Sequence, residues 1–434
     1  MYLPANTAAG RLTGNVRSAL SKSLKGVSKR EMQKQTTDFL IVGAGIIGIS
    51  IARELRRQYP DASVVVLEKE NSYGQHASGR NSGVLHSGFY YTANSLKARL
   101  TREGNLALRT YCTERGLPLN QCGKLVVARS PADYPQMDEL LRRGQANGVP
   151  LQSVSADEAR RIEPRAKTCE RAIFSPTTAT ADPAAVLEAM RKDAADEGVQ
   201  LTLATAFRRR RRNELLTSQG AWSAGYVVNA AGLHADRIAR QFGFSQHFVI
   251  LPFKGLYLYS DEPAGALRTN IYPVPDLRNP FLGVHFTVTV DGHAKIGPTA
   301  IPAFWREQYK GFQNFSPRDL AETVWLQLGL MCFAGFEFRR MAWEELAKYS
   351  RAHLASLASQ LAEGVQTRDF TRWGRTGIRA QLLDLRTRTL EMDFVLEGDE
   401  SSMHVLNAVS PGWTCSIPFA QHVVAEIQKL ARFS

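Results

Sequence analysis

The sequence predicts an α/β fold in which a parallel sheet flanked by helices carries an inserted antiparallel sheet. Three observations predict it. A short apolar run, Asp38 to Val42, passes directly into a glycine-spaced turn and then a helical pattern. A second apolar run, Ser63 to Leu67, follows and ends on an acid, Glu68. Residues 249–300 then read as successive short strands divided by Pro and Gly, the pattern of an antiparallel sheet.

The first run is short, apolar and β-branched, as a strand buried on both faces requires. Gly43-Ala44-Gly45-Ile46-Ile47-Gly48 has the GxGxxG spacing. Gly43 permits the tight turn, Gly45 lets main chain approach a pyrophosphate, and Gly48 lets helix and strand pack closely. The helix N-terminus supplies free N–H groups and a partial positive charge for phosphates. Glu68 stands twenty residues beyond Gly48, where an acid can accept from ribose hydroxyls, with Lys69 beside it. Strand, turn, helix, strand and acid arrive in order, so a dinucleotide is expected here.

Residues 74–91 are rich in Gly, Ser and Asn yet carry His76, Arg80, His86 and three aromatics, Phe89, Tyr90 and Tyr91. That composition reads as a functional loop. Helices are expected over Leu96 to Glu114, Pro131 to Asn147, Ala156 to Glu163 and Asp182 to Glu197, the last with Asp182 as N-cap before Pro183. A strand is expected over Gly123 to Ala128. Arg208 to Arg212 are five consecutive arginines, read as the solvated tip of a hairpin between strands near 201–207 and 214–218. Tyr226 to Gly232 is another strand-to-glycine transition before a helix, Leu233 to Phe242, and puts Ala231 and Gly232 near a ligand. Residues 317–364 look helical, and Pro418 to Ala431 forms a final amphipathic helix.

The 434 residues are 44% apolar and carry a net charge of +13, which favours anionic partners. No nucleic-acid motif accompanies the charge, so no nucleic-acid partner is expected. Five cysteines with no CxxC spacing read as free thiols, and no metal site is signalled. No apolar run reaches the roughly 20 residues a spanning helix needs, though peripheral membrane contact stays open. Residues 1–36 form a basic extension with no acid in its first 30 positions, read either as an organellar targeting peptide or as a disordered tail.

Several stretches together resemble the D-amino-acid-oxidase-like FAD-dependent oxidoreductases, and within them the branch that oxidises the hydroxy diacid L-2-hydroxyglutarate. They are Gly79-Arg80-Asn81-Ser82-Gly83-Val84-Leu85-His86, Asn94 to Arg99, Gln121-Cys122-Gly123-Lys124-Leu125, Asn270 to Asp276, Phe281 to Phe286 and Gly377-Ile378-Arg379-Ala380-Gln381. The resemblance covers about residues 38–430. It implies a Rossmann-like FAD-binding domain made of residues 37–104, 171–247 and 371–434. A substrate domain of residues 105–170 and 248–370 would be inserted into it. It implies oxidation of L-2-hydroxyglutarate to 2-oxoglutarate by hydride transfer from C2 to flavin N5. Quinone, an electron-transfer flavoprotein or another acceptor would take the electrons, in the mitochondrion of a eukaryote or the cytoplasm or inner-membrane periphery of a bacterium.

The same resemblance brings Arg80, Asn81, Ser82, Gly83, Val84, His86, Gly377, Arg379, Gly412, Trp413 and Thr414 toward the flavin. The reaction needs a base and cations for two carboxylates. His86 and His285 are both candidates for the base, with His76 a weaker one; Arg379 is expected on a carboxylate, assisted by Lys254 or Tyr257. Where relatives read Pro-Phe-Arg-Gly, this chain has Lys254, which keeps the charge and loses the bidentate fork. Thr299 and the Val409-to-Thr414 stretch depart as well. The competing expectations are an amino-acid or amine oxidase of the same superfamily and a flavin-binding protein without turnover.

Overall fold

The computed structural model describes residues 34–277, 282–333 and 344–431. The basic extension through residue 33, Phe281 and part of the 317–364 helical region lie outside the described residues.

The first strand, Gln35–Val42, begins three residues before the apolar run. It pairs in parallel with Val64–Leu67 on one side and with Gly220–Asn229 on the other. Gln200–Thr202 extends the sheet beyond Val64–Leu67, and Ser402–Asn407 pairs in parallel with the end of Gly220–Asn229. The sheet is therefore assembled from three separated stretches of chain. Alternate residues cover its two faces. Phe39, Ile41, Val64, Val66, Tyr226 and Val228 pack under helices Ile46–Gln58, Pro183–Asp196 and Ser416–Leu430. Leu40, Val65, Leu67 and Val227 pack the opposite face against Leu215 and Trp222. Burial on both faces is why these strands read as unbroken apolar runs rather than alternating ones.

The arginine run differs from expectation. Arg208 to Arg211 lie within the strand Phe207–Arg211, and only Arg212, at φ 55°, sits in the turn to Glu214–Thr217. The antiparallel ladder tolerates them because Arg208, Arg209 and Arg211 are exposed at the sheet edge. Gln200–Thr202 is a separate strand paired elsewhere.

A second eight-stranded sheet runs Arg372–Trp373, Leu258–Tyr259, Ala294–Gly297, His285–Val288, Asn270–Pro273, Lys124–Val127, Arg171–Ser175, Gln152–Ser155. Its pairings are antiparallel except that of Asn270–Pro273 with Lys124–Val127. A four-stranded sheet centres on Phe248–Gly255 against Gly377–Asp384. Helices Leu96–Glu114 and Pro183–Asp196 have nearly the expected bounds, and Asp182 caps the latter by accepting from the Ala184 and Ala185 amides. The expected helix after Gly232 is shorter: a 3₁₀ turn, Gly232–His234, then Ala235–Arg240. Cys112, Cys122, Cys169 and Cys415 are free thiols.

Candidate active site

A cavity of about 880 Å³ runs from the glycine turn across the edge of the parallel sheet to the antiparallel sheet. At its first end, Gly43 has φ +109°, and a Cβ there would lie 2.6 Å from the Ala230 carbonyl oxygen. A Cβ on Gly48 would lie 1.9 Å from the Gly43 carbonyl oxygen, so Gly48 packs beneath the turn instead of lining the cavity. Ala44, Gly45, Ile46 and Ile47 line it. Glu68 is held at the cavity wall by two amides, Ala44 N–H (3.1 Å) and Glu70 N–H (3.0 Å). The first turn of helix Ile46–Gln58 contains no acid, leaving its partial positive charge for an anion.

The 74–91 loop closes over this turn, the Ile46 amide donating to Ser78 Oγ at 2.9 Å. Arg80 donates to the Gln75 carbonyl of its own loop (2.6 Å) and to the Thr376 carbonyl (3.2 Å), just before the strand Gly377–Asp384 of the four-stranded sheet. Asn81 turns inward on its own loop, donating to the Ala77 and Ser78 carbonyls and accepting from Gly83 N–H. Ser82 and Val84 line the cavity, whereas Gly83 does not; at φ +79° it forms the turn between them. Across the cavity stand Ala231, Gly232, Gly377, Gly412, Trp413 and Thr414. Thr414 Oγ1 donates to the Val84 carbonyl (3.1 Å) and receives the His86 amide (3.3 Å), clamping the C-terminal loop to the strand that presents His86. Trp413 Nε1 is a buried donor with no partner among the described residues. A dinucleotide with a polar ring system fits this wall, because it would supply the acceptor.

Lys69 and His76 line the same cavity, but both are engaged. Lys69 pairs with Glu70 and, at 2.9 Å, with Glu307, and His234 reaches Glu307 at 2.8 Å. His76 meets Tyr309 OH (2.6 Å) through Nδ1 and Glu70 (2.9 Å) through Nε2. With both nitrogens occupied, His76 is a poor base. Glu70, His76 and Glu307 bring potential metal-ligand atoms together, and the Lys69 ammonium already pairs with both carboxylates.

At the far end, His86, His285, Tyr257 and Arg379 line the cavity. His86 follows the short strand Val84–Leu85, Tyr257 sits in the link between Phe248–Gly255 and Leu258–Tyr259, His285 opens a strand of the second sheet, and Arg379 lies in the four-stranded sheet. His285 Nδ1 donates to the Gly283 carbonyl at 2.9 Å, which leaves Nε2 as the unprotonated nitrogen of the neutral ring. Its ring stacks on Tyr272, centroids 3.6 Å apart at 16°. Burial holds both imidazoles well below the ordinary value, with Lys124 and Arg379 adding to the effect. Burial pushes the Tyr257 phenol up to about 12, so it donates at neutral pH. Lys254 does not join this group: it is buried outside the cavity wall, paired in register with Ile301 and Ile378.

Lys124 stands in one of the sequence motifs, and residue type alone gave it no part in the site. Its side chain is fully buried and lies 4.3 Å from the Tyr272 ring centroid. The available signal was the motif Gly123-Lys124-Leu125 itself: a lysine opening an otherwise apolar strand is a misfit that burial statistics flag.

A family model described as FAD dependent oxidoreductase matches residues 38–426. The L-2-hydroxyglutarate dehydrogenase of Escherichia coli (strain K12) is 33% identical over 399 residues, covering 91% of this chain and 93% of that protein. The mitochondrial L-2-hydroxyglutarate dehydrogenase of Homo sapiens is 34% identical over 432 residues, covering 92% and 90%. Among solved structures, dithionite-reduced L-alpha-glycerophosphate oxidase from Mycoplasma pneumoniae with FAD bound aligns at TM-score 0.70 and 22% identity, covering 92% of this chain and 97% of that one. Glycine oxidase from Geobacillus kaustophilus aligns at TM-score 0.69 and 19% identity, covering 92% and 96%. The two structures share the fold.

Proposed function

The chain belongs to the FAD dependent oxidoreductase family, and from that premise we propose that it oxidises L-2-hydroxyglutarate to 2-oxoglutarate. The observation that carries the reading is the cavity itself, which joins a dinucleotide turn to two neutral imidazoles and an arginine. Bound FAD supplies the two-electron oxidant for the C2–H bond. The protein supplies the rest. Arg379 holds a substrate carboxylate with its planar donors. The Tyr257 hydroxyl donates a hydrogen bond to the same diacid. His285 Nε2, its tautomer set by the Gly283 carbonyl, takes the C2 hydroxyl proton, and His86 stands beside it as the second imidazole. The residues fitted to hold FAD are Gly43 to Ile47 and Glu68 at the nucleotide end, and Ser82, Val84 and Gly412 to Thr414 at the ring end.

The test is an anaerobic mixing experiment with the FAD-loaded protein. L-2-hydroxyglutarate should bleach the visible flavin band, and the D-enantiomer, glycine and D-amino acids should not. Bleaching by the amino acids alone would move the chain to the amine-oxidising side of its family. Arg379→Met should raise the substrate dissociation constant by about 10–100-fold, the worth of a charge-assisted hydrogen bond.

For the acceptor, the reading is a lipid-dissolved quinone reached at a membrane surface. The exposed Phe312 and Phe315, whose rings meet at 6.2 Å, and the exposed Trp325 and Leu328 support it, since exposed large apolar side chains suit a lipid interface. No described helix is long and apolar enough to cross a membrane. Faster reoxidation by quinone in liposomes than by an electron-transfer flavoprotein is the expected outcome; the reverse ranking would replace this acceptor.

A further inference from the structure

Lys124 opens the strand Lys124–Val127, every residue of which is buried. Its ammonium has no hydrogen-bond partner among the described residues. Instead it sits among ring faces, 4.3 Å from the centroid of Tyr272, 4.9 Å from Tyr90 and 5.4 Å from Phe89. Tyr272 in turn stacks on His285, so cation, phenol ring and imidazole form one pile. Packing alone does not account for such a group. An unpaired ammonium in the interior is costly, and cation–π contacts offset only part of that cost. An apolar side chain of the same length would fill the site without it.

The charged and titratable groups around it come from every neighbouring element. Cys122 belongs to its own segment, Tyr90 and His86 to the loop, and Tyr272 and His285 to the adjacent strands; Arg379 and Tyr257 lie across the cavity. Of these only Cys122 favours the charged amine, and burial brings Lys124 down to about 7. Lys124 is also the largest electrostatic influence, after burial, on both His86 and His285.

We propose that Lys124 is a positioning residue for proton removal, its buried ammonium acting through His86 and His285 to keep the accepting imidazole neutral until the diacid binds. This deepens, and rests on, the assignment of the base to that histidine pair. In the empty site a protonated imidazole is repelled by Lys124 and Arg379. The substrate brings two carboxylates into the same cavity, and their charge offsets the repulsion. The hydroxyl O–H then breaks, an N–H bond forms at the imidazole, and the added charge is tolerated only with substrate in place.

The experiment uses FAD-loaded Lys124→Met and Lys124→Gln, both of which remove the charge. Histidine NMR titration of each substrate-free protein should show the His86 and His285 imidazoles protonating about one pH unit higher than in the unchanged chain. The acid limb of anaerobic flavin reduction should move to higher pH by the same amount. Lys124→Met should keep or raise the melting temperature. Imidazole titrations that stay put in both variants overturn the proposal, as does a melting temperature that drops while the acid limb stays fixed, which is the mark of a structural role. Should His285→Asn and His86→Asn both keep the wild-type reduction rate, the base assignment fails. The NMR shift still reports the coupling, so the two failures are distinguishable.

Discussion

The two ends of the cavity are built by opposite strategies. At the nucleotide end, six consecutive residues do most of the work: a turn at φ +109°, a glycine whose added Cβ would lie 1.9 Å from a carbonyl oxygen, and a helix start with no acid in its first turn. At the other end, His86, Tyr257, His285 and Arg379 come from four separate segments, and Lys124, from a fifth, lies behind them against Tyr272. The first end is a backbone requirement, satisfied by what side chains are absent. The second is an electrostatic arrangement, satisfied by which side chains meet. Binding at one end and chemistry at the other should therefore fail separately.

The sharpest test of that separation is Gly48→Ala. Its new Cβ meets backbone, which cannot swing aside, so the change should cost more than about 4 kcal/mol and yield apoprotein, read by flavin content and melting temperature. Retained flavin would break the contrast. His285→Asn should do the reverse, keeping flavin while the reduction rate falls by about 10²–10⁴-fold, the usual worth of a general base. His86→Asn should lose less, because the His285 tautomer is the one fixed by a backbone acceptor.

Acid titration gives a smaller, graded effect. Both imidazoles are held below the value they have in an unfolded chain. As pH falls through about 6.5, the unfolded chain takes up protons that the folded chain refuses, so stability falls across that window and levels off only below the folded values. Melting temperature measured against pH should show this slope, and His285→Asn should flatten part of it. The smallest effect is expected at Asp182→Ala. Loss of its two cap hydrogen bonds should cost about 1 kcal/mol and leave flavin reduction unchanged, since the helix it caps only buttresses the sheet.

Between the turn and the chemistry lies a contrast in scale, visible in Asp236 and Arg306. Arg306 is almost fully buried and bidentate to Asp236, which also accepts from the Ile250 amide. Nothing in the sequence marks these two residues as partners seventy positions apart, yet they join the helix after Gly232 to the four-stranded sheet that carries Arg379.

The sequence by itself determined the parallel sheet, the glycine turn, Glu68 at the strand end, the Asp182 cap and most helix bounds. Each is a short-range matter: period of burial, glycine spacing, or a capping side chain one residue before its helix. It also nominated His86, His285 and Arg379 by residue type and motif. Tertiary structure alone decided that Lys254 stays outside the cavity, that His76 is consumed by Tyr309 and Glu70, that the arginines occupy a strand, and that Lys124 stands behind Tyr272. The physical reason is reach. Backbone geometry is dictated by residues within a few positions, whereas the potential at an imidazole is the sum over charges that only long-range folding brings near.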